Sequence, residues 1–201
     1  SEALQKADAA AAHAEGTQQK SAIEQIRVGA TCAGTNHQGC VTAIEKARSV
    51  GGLPAAVQQN YDKMLAGKYD ALGQSAKAAA QTKANIDKYG GSATELQYIA
   101  RKELDAKNYG EAVKYAQKAV DAKGGGTAYN IMLNAYSAQG KMDDYYKVVE
   151  RIAPAMKQDT YWRMLIERTK KEPKFKSQEG LLDVYRALTA AGVKLNTQEQ
   201  K

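Results

Sequence analysis

Proline, the strongest opponent of helix, is scarce in this chain. Its 201 residues include three prolines, one phenylalanine, one tryptophan and two cysteines. So few prolines leave long stretches open to uninterrupted helix. No segment alternates apolar and polar residues for long, so nothing reads as a half-buried strand. No apolar run approaches the roughly 20 residues that a bilayer-spanning helix needs. Catalytic signatures are missing as well, with no H-E-x-x-H, no G-x-S-x-G and no phosphate loop. The carboxylates supply no substitute. Asp143 and Asp144 are adjacent, point in different directions on a helix, and suit a first helical turn, where they complement the dipole. Glu24 and Glu45 read as isolated. The expectation is a chain without enzymatic activity, cofactor or metal.

What is present is alanine, tyrosine and charge. Apolar residues make up 43% of the chain and charged residues 25%, as in an ordinary soluble globular protein. Alanine inflates the apolar share, and twelve tyrosines replace the missing Phe and Trp. Small side chains let helix axes approach closely. The net charge of +7 is uneven: residues 1–50 hold five basic and five acidic groups, and residues 151–201 hold eleven and six. The excess centres on Arg168, Lys170, Lys171, Lys174 and Lys176. A cluster of this kind can meet phosphates or anionic headgroups. No aromatic-plus-basic motif accompanies it, so nucleic acid is not expected and a solvated turn is the plainer reading.

Cys32 and Cys40 stand in TCAGTNHQGC, with Gly34, Asn36 and Gly39 able to bend the segment between them. An even count and close spacing favour a disulfide, which would contribute roughly 2–3 kcal/mol by loop-closure entropy. A bridge implies an oxidising compartment, hence a periplasmic or extracellular protein whose signal peptide has been removed. The rival is a metal site that includes His37. Its Cys-x4-His-x2-Cys spacing offers only three ligands, and His13 is far away.

Glycines and polar clusters divide the chain into helices. Glu2–Glu15 is rich in strong helix formers until Gly16 interrupts, Ser21–Val28 belongs to a second helix, and Val41–Val50 forms a third. After Gly51-Gly52, Pro54 opens paired helices. The first pair covers 54–66 and a long partner to Tyr89, with Gly67-Lys68-Tyr69-Asp70 as the turn. Ser92 and Glu95 have capping-box spacing at the next start. Lys107-Asn108-Tyr109-Gly110 forms a turn, and Gly124-Gly125-Gly126 breaks the pattern after Lys123. The remaining pairs are 127–138 with 142–157, and 159–171 with 177–191. Tyr69, Tyr109, Met142 and Phe175 would fill gaps between neighbouring pairs. The expected organisation is 1–50 as N-terminal helices with a disulfide loop, 51–192 as helical repeats, and 193–201 as a polar tail.

The stretch beginning at Ser92 nearly repeats in the one beginning at Gly126, with Tyr109 aligned to Met142. That separation is close to the length of a helix–turn–helix repeat. Leu96, Ile99, Ala100, Tyr109, Ala112, Ala116 and Ala119 in one unit resemble the tetratricopeptide repeat. Tyr129, Met132, Leu133, Tyr136, Gly140, Met142, Val149 and Ile152 do so in the next, where Tyr145 replaces the family's small residue. A third unit, from Trp162 through Phe175, keeps only the opening of the pattern. The likeness is good over 92–157, partial over 54–91 and 158–192, and absent before 50.

This resemblance implies an all-α fold, a right-handed superhelix of antiparallel hairpins, behind a divergent N-terminal helical segment. In the family the first helix of each hairpin lines the concave face. The positions implied here for a protein or peptide partner are Thr94, Gln97, Arg101, Thr127, Asn130, Asn134, Arg163 and Lys170. Amide side chains suit hydrogen bonding to an extended peptide, and the arginines suit a carboxylate or phosphate. The resulting reading is a non-catalytic adaptor or scaffold of the bacterial envelope. The alternative is a periplasmic carrier for a lipid or other apolar ligand, lined by Tyr129, Met132, Tyr136, Tyr145 and Trp162.

Overall fold

The computed structural model describes residues 2–156 and 159–169, and the single positions 171, 182, 183, 185, 186, 189, 190, 192 and 193. Among the described residues there are ten α-helices and no strand. Lys170, Phe175 and most of the helix expected over 177–191 lie outside them, as does the tail from 194. The chain sorts into two compact units, Ser1–Glu95 and Leu96–Lys201.

The first unit contains α1 (Glu2–Ala11), α2 (Gly16–Cys32), α3 (His37–Val50), α4 (Ala55–Ala71) and α5 (Ser75–Tyr89). Each packs against the next in sequence. Short turns between them enforce antiparallel hairpins. Its core joins Val28, Cys40, Val41, Ile44, Ala47, Tyr61 and Leu65, contributed by α2, α3 and α4. The second unit begins within α6 (Ala93–Asp105). It continues through α7 (Tyr109–Asp121), α8 (Gly125–Ala138), α9 (Met142–Met156) and α10 (Asp159–Thr169). There α8 packs on both α7 and α9, and α9 on α10.

One backbone device closes four of these helices. Gly73, Lys107, Lys123 and Gly140 follow α4, α6, α7 and α8, each with φ between 62° and 70°. The next N–H then reaches back into the helix's last turn. Gln74 donates to the Tyr69 carbonyl at 2.9 Å, Asn108 to Glu103 at 2.8 Å, Gly124 to Ala119 at 2.6 Å and Lys141 to Tyr136 at 3.0 Å. This Schellman closure satisfies carbonyls that the helix end would orphan. The turns inside hairpins fall at Gly73, Lys107 and Gly140, an almost constant interval. They set the period visible in the sequence.

Helix starts are also specified locally. Ser92 and Glu95 form the expected capping box: the Ser92 N–H and O–H donate to the Glu95 carboxylate at 2.9 and 2.7 Å. The Glu95 N–H returns a bond to Ser92 Oγ at 3.3 Å. Burial pushes the Glu95 carboxyl upward, but the bonds from Ser92 and attraction to Lys63 outweigh it, and its pKa is lowered. At α3, Asn36 Oδ1 accepts from the Gly39 N–H at 2.9 Å. That cap starts the helix at His37, ahead of the expected Val41, and so places Cys40 within it. The disulfide is formed, with the Cα atoms of Cys32 and Cys40 4.7 Å apart.

The expected turn at Gly67–Asp70 is corrected. The α4 helix runs through Gly67 to Ala71 and turns at Gly73. Gly67 lacks positive φ, and the left-handed position that reverses the chain belongs to Gly73. Tyr69 therefore sits in the last turn of α4 and donates its O–H to Glu45 at 2.8 Å. Met142 opens α9 but is 44% exposed, so it is not the filler expected between pairs. Likewise α1 stops at Ala11, and α2 extends from Gly16 to Cys32.

Two testable outcomes follow from these ends. Lys107→Gly relieves a left-handed lysine and should raise stability by about 1 kcal/mol in urea unfolding, whereas Gly73→Ala should lower it by a similar amount. For Glu95, the folded pKa lies below the unfolded one. Its contribution is thus present above the ordinary carboxylate range and is lost as pH falls through the folded value. Ser92→Ala should cost about 1 kcal/mol at neutral pH. The gap to wild type should narrow in acid, as read from unfolding midpoints across that range.

Candidate binding face

The α8 sequence, GGTAYNIMLNAYSA, contains no charged residue, and among the described helices it alone has none. Its buried face is Ala128, Ile131, Met132, Leu133 and Ala135, which fit the space between α7 and α9. Spacings of three and four place Thr127, Asn130, Asn134 and Ser137 on the opposite face, and all four are exposed. The outcome is a solvent-facing stripe of hydroxyl and amide groups without a formal charge.

Aromatic and cationic side chains tie α8, α9 and α10 to one another, and one of them reaches the stripe. Tyr161 of α10 donates its O–H to Asn130 Oδ1 at 3.4 Å, a long bond that ties α10 to α8. On α9, Tyr145 and Tyr146 meet edge to face with centroids 5.4 Å apart. Burial raises the Tyr145 pKa, and the neighbouring Tyr146 and Tyr161 hydroxyls raise it further, so the phenol stays neutral as a hydrogen-bonding group. Arg151 lies 5.9 Å from the Tyr129 ring centroid and donates to Gln117 Oε1 at 2.9 Å, fastening α9 to α8 and α7. Arg168 covers the Tyr146 ring at 4.7 Å and pairs with Asp143 and Glu150 at 3.3 and 3.5 Å.

The residues implied for partner binding thus occupy different settings. Thr94 and Arg101 are exposed on α6, and Thr127, Asn130 and Asn134 are exposed on α8. Gln97 is half-buried, and its amide donates to the Gly124 carbonyl, across the turn between α7 and α8. A Cβ on Gly124 would lie 2.7 Å from that amide nitrogen and 2.6 Å from the Ala119 carbonyl oxygen, so glycine admits the approach. Arg163 on α10 is half-buried and Lys170 is not described. Of the residues proposed to line an apolar site, Met132 is 3% exposed and belongs to the core. Tyr129, Tyr136 and Tyr145 are half-buried. Trp162 packs with Tyr185 against Ile166 and Val193.

No protein-family model matches this chain, and a comparison with curated proteins finds no relative. Among the described residues no group of three or more His, Cys, Asp and Glu gathers to hold a metal ion. Nor is any described helix long and apolar enough to cross a membrane.

Sequence reasoning missed two buried carboxylates in the first unit. Glu24 is not isolated: it pairs with Arg27 and, at 3.3 Å, with Lys46. Arg27 also reaches Asp8 at 2.7 Å, and that bond, ahead of those with Glu24, raises its pKa despite desolvation. The chain of charges links α1, α2 and α3. Asp62 is 2% exposed and accepts from the Tyr89 O–H at 2.6 Å. It also pairs with Lys88 at 3.3 Å and Arg48 at 3.4 Å, while its backbone carbonyl accepts from Asn85 at 2.9 Å. The available signal was Asp62's place between Tyr61 and Leu65 on the apolar side of α4. A carboxylate there requires partners.

The two faces of α8 should respond differently to truncation. Ile131→Ala removes a side chain 2% exposed and should cost about 3 kcal/mol. Asn134→Ala should change stability by less than about 0.5 kcal/mol in the same denaturant titration. A cost for Asn134→Ala equal to that of Ile131→Ala would mean that the stripe is structural.

Proposed function

We propose that this chain is a non-catalytic scaffold of the tetratricopeptide-like kind, which binds a protein partner through the uncharged stripe of α8. One observation carries the reading. In a chain that is 25% charged, an exposed helical face is built without a single charge. Exposed helical faces are ordinarily charged because charge is well solvated. The centre of a protein interface is instead depleted in charge, because buried ions must be desolvated. Hydroxyl and amide groups on Thr127, Asn130, Asn134 and Ser137 can both donate and accept, which suits the backbone of a bound segment.

The helical hairpins and the near-constant interval between their turns support assignment to a repeat scaffold. The Cys32–Cys40 bridge supports a place outside the reducing cytoplasm, in a periplasm or beyond the cell. We assign no catalytic role to any residue.

A photocrosslinking residue placed at position 134 tests the interface, with the exposed Lys114 position on α7 as control. Capture of one protein partner from position 134 alone, lost on Asn130→Ala while the unfolding midpoint is retained, is the expected result. Equal capture from both positions, or an Asn130→Ala protein that still captures fully, would sink the reading.

A further inference from the structure

The two halves of the disulfide are unequal. Cys40 is wholly buried among Val41, Ile44 and Leu65, in the first turn of α3. Cys32, the last residue of α2, retains part of its surface in solvent, and residues 33–36 beyond it are all exposed. His37 precedes Cys40 by three positions and so shares its side of α3. The ring nitrogen Nδ1 of His37 makes no hydrogen bond. His37 is also the only ionisable side chain between the cysteines.

We propose that the Cys32–Cys40 bridge is a thiol–disulfide exchange site, opened by a thiol reductant that attacks Cys32 and releases the start of α3 from the end of α2. The incoming thiolate bonds to Cys32 Sγ as the bond between the two sulfurs breaks, and the electron pair leaves on Cys40 Sγ. Attack from the other side is blocked, because Cys40 offers no surface. The leaving thiolate forms at a helix N-terminus, where the backbone favours an anion, and His37 is placed to supply its proton. A second thiolate of the reductant then attacks the mixed disulfide and frees Cys32. Two electrons pass from the reductant, which ends as a disulfide, to the bridge, which ends as two thiols. The noncovalent ties of the hairpin remain, including Glu24 with Lys46, so opening is confined to the segment around 32–40.

The test uses the intact oxidised protein with glutathione as probe, followed by alkylation and peptide mass spectrometry. The expected product carries glutathione on Cys32 and the alkyl group on Cys40. Reduction should increase proteolysis within residues 33–36 and leave amide exchange in α8 unchanged. His37→Gln should slow the exchange severalfold. Glutathione found on Cys40, or reduction that proceeds only at the rate of global unfolding, would overturn the proposal. An unchanged rate in His37→Gln would overturn the part given to that residue.

Discussion

Four of the reversals in this protein depend on a single backbone residue, held at positive φ immediately past the helix end. At Gly73 and Gly140 glycine takes that conformation without strain, while Lys107 and Lys123 take it against the preference of an L-residue. The closing hydrogen bonds compensate, because each reversal satisfies carbonyls that would otherwise be left without partners. So short a turn between helices leaves the second helix no choice but to run back along the first. The position of that turn decides which alanines face the neighbouring helix. Ala112, Ala116 and Ala119 on α7 are all fully buried. Had α7 begun one residue later, its buried face would have rotated by about 100°.

Alanine cores bring helices close but bury little apolar surface per residue. Among the described residues, large wholly buried side chains are correspondingly few, with Ile44 and Leu65 in the first unit and Ile99 and Ile152 in the second. In the first unit, polar ties add what size does not. Asp62 draws together residues of α3, α4 and α5, and Glu24 joins α2 to α3, in a chain that Arg27 extends to α1. Such ties contribute modest net stability after desolvation is counted. Their larger effect is on register. Sliding one helix by a turn would leave a carboxylate buried without a cation, a far greater cost than a shifted alanine contact.

The distinction between local and distant partners explains what could be read from the sequence. The capping box at Ser92, the disulfide and the glycine breaks are local, and each was legible from a few adjacent residues. The all-α fold was legible in the scarcity of proline and the lack of alternating runs. The turn after α4 was misplaced because Gly67-Lys68-Tyr69 has the composition of a turn, and composition does not reveal which glycine takes positive φ. Glu24 and Asp62 were missed for a different reason. Asp62 is answered by Arg48, Lys88 and Tyr89, the last two 26 and 27 residues away, and no spacing rule links residues across three helices. Gln97 shows the same limit at the candidate face. Its sequence position implied an open surface, yet its amide is engaged by the Gly124 carbonyl.

The α8 helix is the place where local preference and structure disagree most. It opens with two glycines and includes Thr127, Asn130 and Asn134, all poorer helix formers than alanine. It also lacks the charge pairs that steady other exposed helices. Its helicity must therefore come from packing, and the burial of Ile131, Met132 and Leu133 between α7 and α9 supplies it. Once one face is held so firmly, the other is released from any need to favour helix. Lysine or glutamate at Thr127, Asn130, Asn134 or Ser137 would improve both propensity and solvation. The presence of four neutral hydrogen-bonding side chains instead sacrifices a little stability, and the stripe remains ready to lose its water without stranding an ion.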